Sequence, residues 1–288
     1  MQNHHPFVEA IDLEIIMLAC SHFDADMQKM VDTLEQHPYH PLKKLPLERM
    51  SAILQWQQHA DQELISILPS MAQKAVQDAL DMYRMMEKTI ENDPQSTQAL
   101  LYQLILYTGE DPFTLIDQLV MESEKSTPLL IEAMQNKKLL DPIYPGFGKS
   151  LQYVADALEG IQDPKAIAPL FETLLEQVGS VEESIIEAIV AFGEEARDYL
   201  IQILEKKPVS LRTTYAAKIL LFLKNQEVSF LAVDLLCDPQ TLKHTALVSY
   251  LIALLDTINK EERSAVLQQL LDEVHFSDEH RREIELFV

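Results

Sequence analysis

The sequence predicts an all-α chain whose second half is a right-handed α-α superhelix of stacked helix pairs, preceded by a helical cap or small bundle. Three observations predict it. Leu158, Ile189, Leu220 and Leu251 stand 31 residues apart, and four companion columns keep that step: Val154/Ile185/Ala216/Leu247, Ala155/Ile186/Ala217/Val248, Ala157/Ala188/Ile219/Tyr250 and Ile161/Phe192/Leu223/Leu254. Within each unit the apolar residues recur at offsets of three and four, the spacing of one helix face. Only 6 glycines interrupt a chain of 288 residues that is 47% hydrophobic, and its Leu, Ile, Ala and Met follow the 3.6-residue period instead of strand alternation.

Helix starts are marked by Asp-Pro at 93–94, 111–112, 141–142, 163–164 and 238–239, and by Thr127-Pro128. An Asp carboxylate accepts from the orphan N–H groups of a first turn, and Pro fits the first helical position because no N–H is needed there. Gly109, Gly160, Gly179 and Gly193 mark stops. Residues 1–94 form an N-terminal helical region with helices near Pro6–Cys20, Asp24–Gln36, Leu47–His59 and Ser70–Asn92. Between the second and third, His37-Pro38-Tyr39-His40-Pro41 cannot continue a helix. Residues 95–138 hold a divergent repeat, Thr97–Gly109 and Asp111–Met121. Residues 139–148 are a Pro/Gly loop. Residues 149–288 form the array. Its pairs are Lys149–Gly160 with Pro164–Val178, Val181–Phe192 with Glu194–Lys206, Leu211–Leu223 with Glu227–Cys237, and Gln240–Asp256 with Lys260–Val274. Ser277 then caps a last helix carrying Ile284 and Phe287. Second-helix anchors repeat as Leu170/Leu200/Leu231/Leu267 and Leu174/Leu204/Leu235/Leu271, with the uneven steps that variable turns produce.

The run from Ala155 to Pro164, followed by Ala166 and Pro169-Leu170, resembles HEAT-like repeats of the short kind found in phycobilisome-lyase relatives. Ala188-Ile189 with Phe192-Gly193, Ala196 and Leu200 is a looser copy. The third and fourth copies keep the apolar columns and lack the Gly and Asp-Pro punctuation. The resemblance spans roughly residues 150–256 and implies a HEAT-like, armadillo-like solenoid. The Trp/Gly/Tyr pattern of tetratricopeptide repeats is not seen.

The net charge of −23 argues against nucleic acid, whose binding rests on Lys and Arg that displace counterions. Lys137-Lys138 and Lys206-Lys207 are expected to complement helix C-termini. Two cysteines, Cys20 and Cys237, are too few for a disulfide framework or a cysteine zinc site, and a reducing, cytoplasmic setting is expected. Ile15 to Cys20 loosely resembles the end of a lipoprotein signal, but acidic Glu9, Asp12 and Glu14 precede it and Lys29 is the first basic residue, so an amphipathic helix is expected. No apolar run approaches the roughly 20 residues that span a bilayer, and no membrane association is expected.

Chemical motifs fall short. Gly146-Phe147-Gly148-Lys149-Ser150 resembles the end of a phosphate loop, yet position 143 is Ile where a Gly is needed; Ser150 is expected to cap a helix instead. His4, His5, His22, His37, His40 and His59 cluster early in the chain, but no third ligand with ordered support is placed, so no metal site and no cofactor are expected. The recurring His-Glu dipeptides of the di-iron deoxyhypusine hydroxylases are missing. Both cysteines lie in apolar helical context, where a buried, inert thiol is expected. Glu182-Glu183, Glu194-Glu195 and Glu261-Glu262 belong in first turns, complementing the helix dipole. Met71, Ala75, Ala79, Met82, Met86 and Ile90 form one core stripe, against the competing reading of a Met-rich groove with Trp56. No catalytic residue emerges.

The expected function is therefore a non-enzymatic scaffold for protein–protein contacts. Second helices of HEAT-like arrays line the concave face, and here they carry Glu172, Glu176, Asp198, Gln202, Glu205, Asp234, Gln268 and Asp272. Such a face would attract a basic or amphipathic partner segment. The alternative is an enzyme subunit similar to a HEAT-like bilin lyase component. A nucleic-acid-binding protein, by analogy with helical-repeat glycosylases, would need the opposite charge.

Overall fold

A computed structural model describes residues 7, 9–37, 40–60, 62–109, 111–176, 181–206 and 208–286, with the backbone alone at 260 and 261. His4, His5, Pro6, Pro38, Tyr39, Val178, Gly179, Lys207 and Phe287 of the preceding section lie outside them. Among the described residues there are sixteen α-helices joined by 3-10 turns, and no strand. No described helix is long and apolar enough to cross a membrane. The chain divides into two compact units, Met1–Ile161 and Gln162–Val288, so the division falls between the two helices that the sequence pairs first.

The first unit holds α1 (Ala10–His22), α2 (Met27–Gln36), α3 (Leu47–His59), α4 (Ser70–Asn92), α5 (Thr97–Ile105), α6 (Phe113–Met121), α7 (Ser123–Met134) and α8 (Ser150–Ile161). Helices α1 to α3 and the turn Leu64–Ile67 close over a core of Ile15, Ile16, Leu18, Met27, Met30, Met50 and Ile53, all fully buried. Asp26 caps α2 by accepting from Gln28 and Lys29 N–H. The amide of Gln57 on α3 grips both sides of that start, accepting from Met27 N–H at 3.0 Å and donating to Ala25 O at 2.6 Å. Helix α4 lies between α1 and α5, and α8 packs on α5, α6 and α7.

The second unit runs as α9 (Ile167–Leu175), α10 (Val181–Ala191), α11 (Glu194–Glu205), α12 (Leu211–Leu220), α13 (Gln226–Leu236), α14 (Thr245–Leu254), α15 (Lys260–Glu273) and α16 (Asp278–Glu285). Helix α12 packs on α10, α11 and α14, α10 on α9, and α14 on α13 and α16. The 31-residue columns lie inside: Leu158, Ile189, Leu220 and Leu251 are all fully buried in their units. Tyr250, Ile161 and Leu223, together with the second-helix anchors Leu231 and Leu271, are only half-buried.

Several local expectations are corrected. Four of the five Asp-Pro pairs share one geometry, the Asp carboxylate accepting from the N–H two residues on: Phe113 at 2.9 Å, Ile143 at 3.0 Å, Lys165 at 3.0 Å and Gln240 at 2.9 Å. An α-helix follows directly only at Asp111-Pro112. After Asp141-Pro142 the chain turns instead, and after Asp93-Pro94 the cap of α5 is Ser96, accepting from Ala99 N–H. Thr127-Pro128 starts nothing, because α7 has already begun at Ser123 and Pro128 sits inside it. The expected helix from Gln240 is interrupted at His244, whose backbone (φ −116°, ψ 85°) leaves the helical region before α14 begins. Ser150 is the first residue within α8 and buried; having lost the extended backbone of a cap, its Oγ meets no hydrogen-bond partner among the described residues. Helix α8 ends at Ile161, one residue past Gly160, and Gln162 (φ 57°) takes the positive φ there; Gly160 lies in the last turn, where an added Cβ would stand 2.8 Å from Val120 Cγ2 of α6, so its missing side chain permits a close helix contact. Lys137 and Lys138 form a 3-10 turn beyond α7, and Lys138 pairs with Asp78 of α4 at 3.6 Å. Met71 stands exposed in the first turn of α4, while Ala79 and Met86 of the same stripe are buried. By contrast Ser277 caps α16, accepting from His280 N–H at 3.2 Å.

Candidate partner-binding surface

The eight predicted site residues fall on four helices of the second unit or at their ends: Glu172 on α9 and Glu176 at its C-cap, Asp198, Gln202 and Glu205 on α11, Asp234 on α13, and Gln268 and Asp272 on α15. All are exposed. The reason is local. In each helix the leucine anchors occupy the buried stripe, and the polar residues take the remaining positions of the 3.6-residue turn.

Their charges are not equally free. Glu172 accepts from the Arg212 guanidinium of α12, and that guanidinium also lies over the Phe171 ring, 5.4 Å from its centroid. The pairing holds Arg212 protonated beyond its ordinary range. Asp198 is engaged by its neighbour Arg197 at 3.2 Å, and Gln268 donates to Asp272 at 3.2 Å. Among the described residues Glu205 and Asp234 have no ion-pair partner.

Two of the early histidines meet. Phe147, in the loop before α8, stacks on His22 of α1 with centroids 4.2 Å apart and takes His40 edge-on at 4.9 Å. His22 Nε2 lies 2.7 Å from Pro142 O, and its Nδ1 lies 2.7 Å from the Tyr83 hydroxyl of α4. A carbonyl only accepts, so Nε2 carries the hydrogen and Nδ1 accepts from Tyr83. Burial pushes the His22 pKa down to about 4, and burial keeps the Tyr83 hydroxyl protonated well above its usual range. Both nitrogens are therefore consumed in joining α1, α4 and the loop. A cleft of about 540 Å³ opens beside the group, with Asp24, Lys29, Arg84 and Glu87 on its rim. His40 accepts from Leu42 N–H at 3.2 Å and begins a 3-10 turn. His59 bonds the Gln55 carbonyl of its own helix. Among the described residues no group of three or more His, Cys, Asp or Glu side chains converges as metal ligands would.

The remaining candidates separate. Cys20 is buried, and burial raises its thiol to about 12. Cys237 is a correction: it is exposed, because it stands at the C-cap of α13 just past the buried face. Partial burial, then Asp234 and Glu273, raise its pKa and suppress thiolate. Trp56 is half-buried, meets Phe7 edge-on at 5.9 Å, and borders a cleft with Arg49, Gln55 and His59. Met82, Met85 and Met86 line a small cleft of about 260 Å³ with Tyr102 and Glu132, so the methionine stripe serves core and cleft together. Glu182, Glu183, Glu194 and Glu195 stand in first turns as expected.

Sequence reasoning missed one surface. Helices α10 and α12, both first helices, border a groove of about 580 Å³ floored by Ile186, Val190 and Ala191 and flanked by Phe222. Phe222 is 62% exposed. The signal was present in the heptapeptide Ile186 to Phe192, which is more apolar than one buried stripe requires. No known protein family, curated protein or solved structure matches the chain.

Proposed function

We propose that this protein is a non-enzymatic interaction scaffold that holds a basic or amphipathic segment of a partner protein against an acidic helical face. One observation supports the reading: the eight acidic or amide residues named above all stand exposed on a packed apolar framework. Their field attracts Lys- and Arg-bearing segments over about a Debye length and weakens with salt.

The test is affinity capture from native lysate at low and high salt. The bait is compared with a variant carrying Gln202→Lys, Glu205→Lys, Asp234→Lys and Asp272→Lys. These positions avoid Glu172 and Asp198, whose reversal would face Arg212 and Arg197. A captured protein with a basic or amphipathic segment, lost in both high salt and the variant, supports the reading. A partner held equally by both baits at both salts overturns it.

A further inference from the structure

The eight acidic and amide residues offer charge but none of them lines the α10–α12 groove, and the groove offers the apolar floor that a charged face alone lacks. Six of its lining residues come from α10 and form two adjacent rows one turn apart: Glu182, Ile186 and Val190, then Glu183, Glu187 and Ala191. Lys218 of α12 and Phe222 just beyond it, also one turn apart, form the opposite wall. The charges within this set are unequal. Lys218 Nζ binds Glu182 at 2.5 Å, with both side chains mostly shielded, so this pair cancels itself and ties α10 to α12 at the groove. Glu183 and Glu187 are exposed and have no ion-pair partner among the described residues. A large aromatic left in water beside Val190 and Ala191 is the kind of anchor that buried interfaces use.

We infer that the groove between α10 and α12 is a docking site for an amphipathic helix of a partner protein. The helix would place apolar side chains on Ile186, Val190 and Phe222 and Lys or Arg side chains against Glu183 and Glu187. Charge complementarity selects this occupant. The two free carboxylates stand four residues apart on a helix, about 6 Å, and cations four residues apart on a facing helix have the same spacing. A second copy of this chain would bring a net charge of −23 to a surface whose free charges are already negative. The inference rests on the scaffold reading and adds a seat for the partner's apolar side.

The probe is a fluorescent Leu/Lys peptide with leucines at i, i+3, i+4 and i+7, its binding to the full chain followed by anisotropy. A Leu/Glu peptide of the same pattern and a scrambled Leu/Lys peptide serve as controls. Phe222→Ala and the double variant Glu183→Gln/Glu187→Gln should each weaken binding by about tenfold or more. The four-lysine variant of the second helices should change it by less than about threefold. The altered side chains are exposed, so thermal melts by circular dichroism should coincide with wild type. Four results overturn the inference: no binding of the Leu/Lys peptide, equal binding of either control, unchanged affinity in both groove variants, or a homodimer that Phe222→Ala dissociates in sedimentation. If affinity falls only in the four-lysine variant, the groove assignment fails while the scaffold reading stands.

Discussion

His22 donates from Nε2 to the carbonyl of Pro142 at 2.7 Å, across 120 residues of chain. This bond, with the Tyr83 hydroxyl on Nδ1 and the Phe147 ring stacked alongside, ties the loop before α8 to α1 and α4. Burial, not these bonds, favours the neutral imidazole: Nε2 can donate to Pro142 in either charge state, and the Tyr83 hydroxyl can turn to accept from a protonated Nδ1. Protonation would place a cation among shielded rings, near His40 and the cations Lys29 and Arg84, with Asp24 and Glu87 as the opposing charges.

The sign of the pH dependence follows. Because the folded-state pKa, about 4, lies below the ordinary 6.5, the unfolded chain binds the proton more readily. The His22 contribution is fully present above pH 6.5 and is lost as pH falls toward 4, by up to about 3 kcal/mol. Gln at position 22 keeps a donor without titrating. Urea unfolding of wild type and His22→Gln across this window should give stabilities whose difference shifts against wild type as pH falls. Parallel profiles would show that the imidazole is not held neutral.

Asp12 is completely buried on α1, and Arg49 of α3 reaches it with two parallel bonds, Nε to Oδ1 at 2.7 Å and Nη2 to Oδ2 at 2.5 Å. Glu9 takes a weaker share of the same guanidinium at 3.1 Å. Removing the arginine strands a carboxylate away from water, which costs more than the pair itself contributes. Arg49→Met should therefore lower the urea midpoint clearly, and Arg49→Lys should fall between, since an ammonium cannot make the forked contact. Adding Asp12→Leu to Arg49→Met should recover most of the loss. A double variant less stable than Arg49→Met would contradict this account.

Leu220 is fully buried in the most regular of the 31-residue columns, whereas Glu183 stands exposed a helix away. Leu220→Ala should cost roughly 2–5 kcal/mol through the cavity it leaves. Glu183→Ala should cost under about 0.5 kcal/mol. Equal denaturation midpoints for the two would remove the register.

The helices were legible wherever an apolar column and an end signal agreed. Leu47–His59 and Ser70–Asn92 are met residue for residue, and Ser277 begins the last helix as read. The reading erred where a local signal met a tertiary demand. Gly160 marks the end of α8 to within one residue, but the positive φ falls on Gln162 and Gly160 itself makes room for Val120. Pro128 looked like a start because proline lacks an N–H, yet α7 already ran through it. Exposure of the acidic residues was legible from the anchors around them. The groove was not, because the 31-residue period reports which residues are buried and not which apolar residues, such as Phe222, are left uncovered.

Two glycines with positive φ should respond differently to the same change. Gly148 has φ 71°, and Gly193, between α10 and α11, combines φ 58° with ψ −117°, a conformation that side chains with a Cβ rarely adopt. At Gly193 an added Cβ meets nothing within 4 Å, so Gly193→Ala should show the cost of that backbone conformation alone. At Gly148 the Cβ would stand 2.7 Å from the backbone carbonyl oxygen of Leu140. Neither partner is a flexible side-chain end, so the loop itself would have to shift, disturbing the Phe147 ring beside it. Gly148→Ala should therefore lower the unfolding free energy by about 1–3 kcal/mol, as read by urea titration. It should also loosen the His22 contact, seen as a rise of the His22 pKa toward 6.5 in a nuclear magnetic resonance titration, a change that Gly193→Ala should not produce. A Gly148→Ala chain as stable as wild type, with an unmoved His22 titration, would mean that the loop accommodates the methyl group and that the close approach to Leu140 carries no weight.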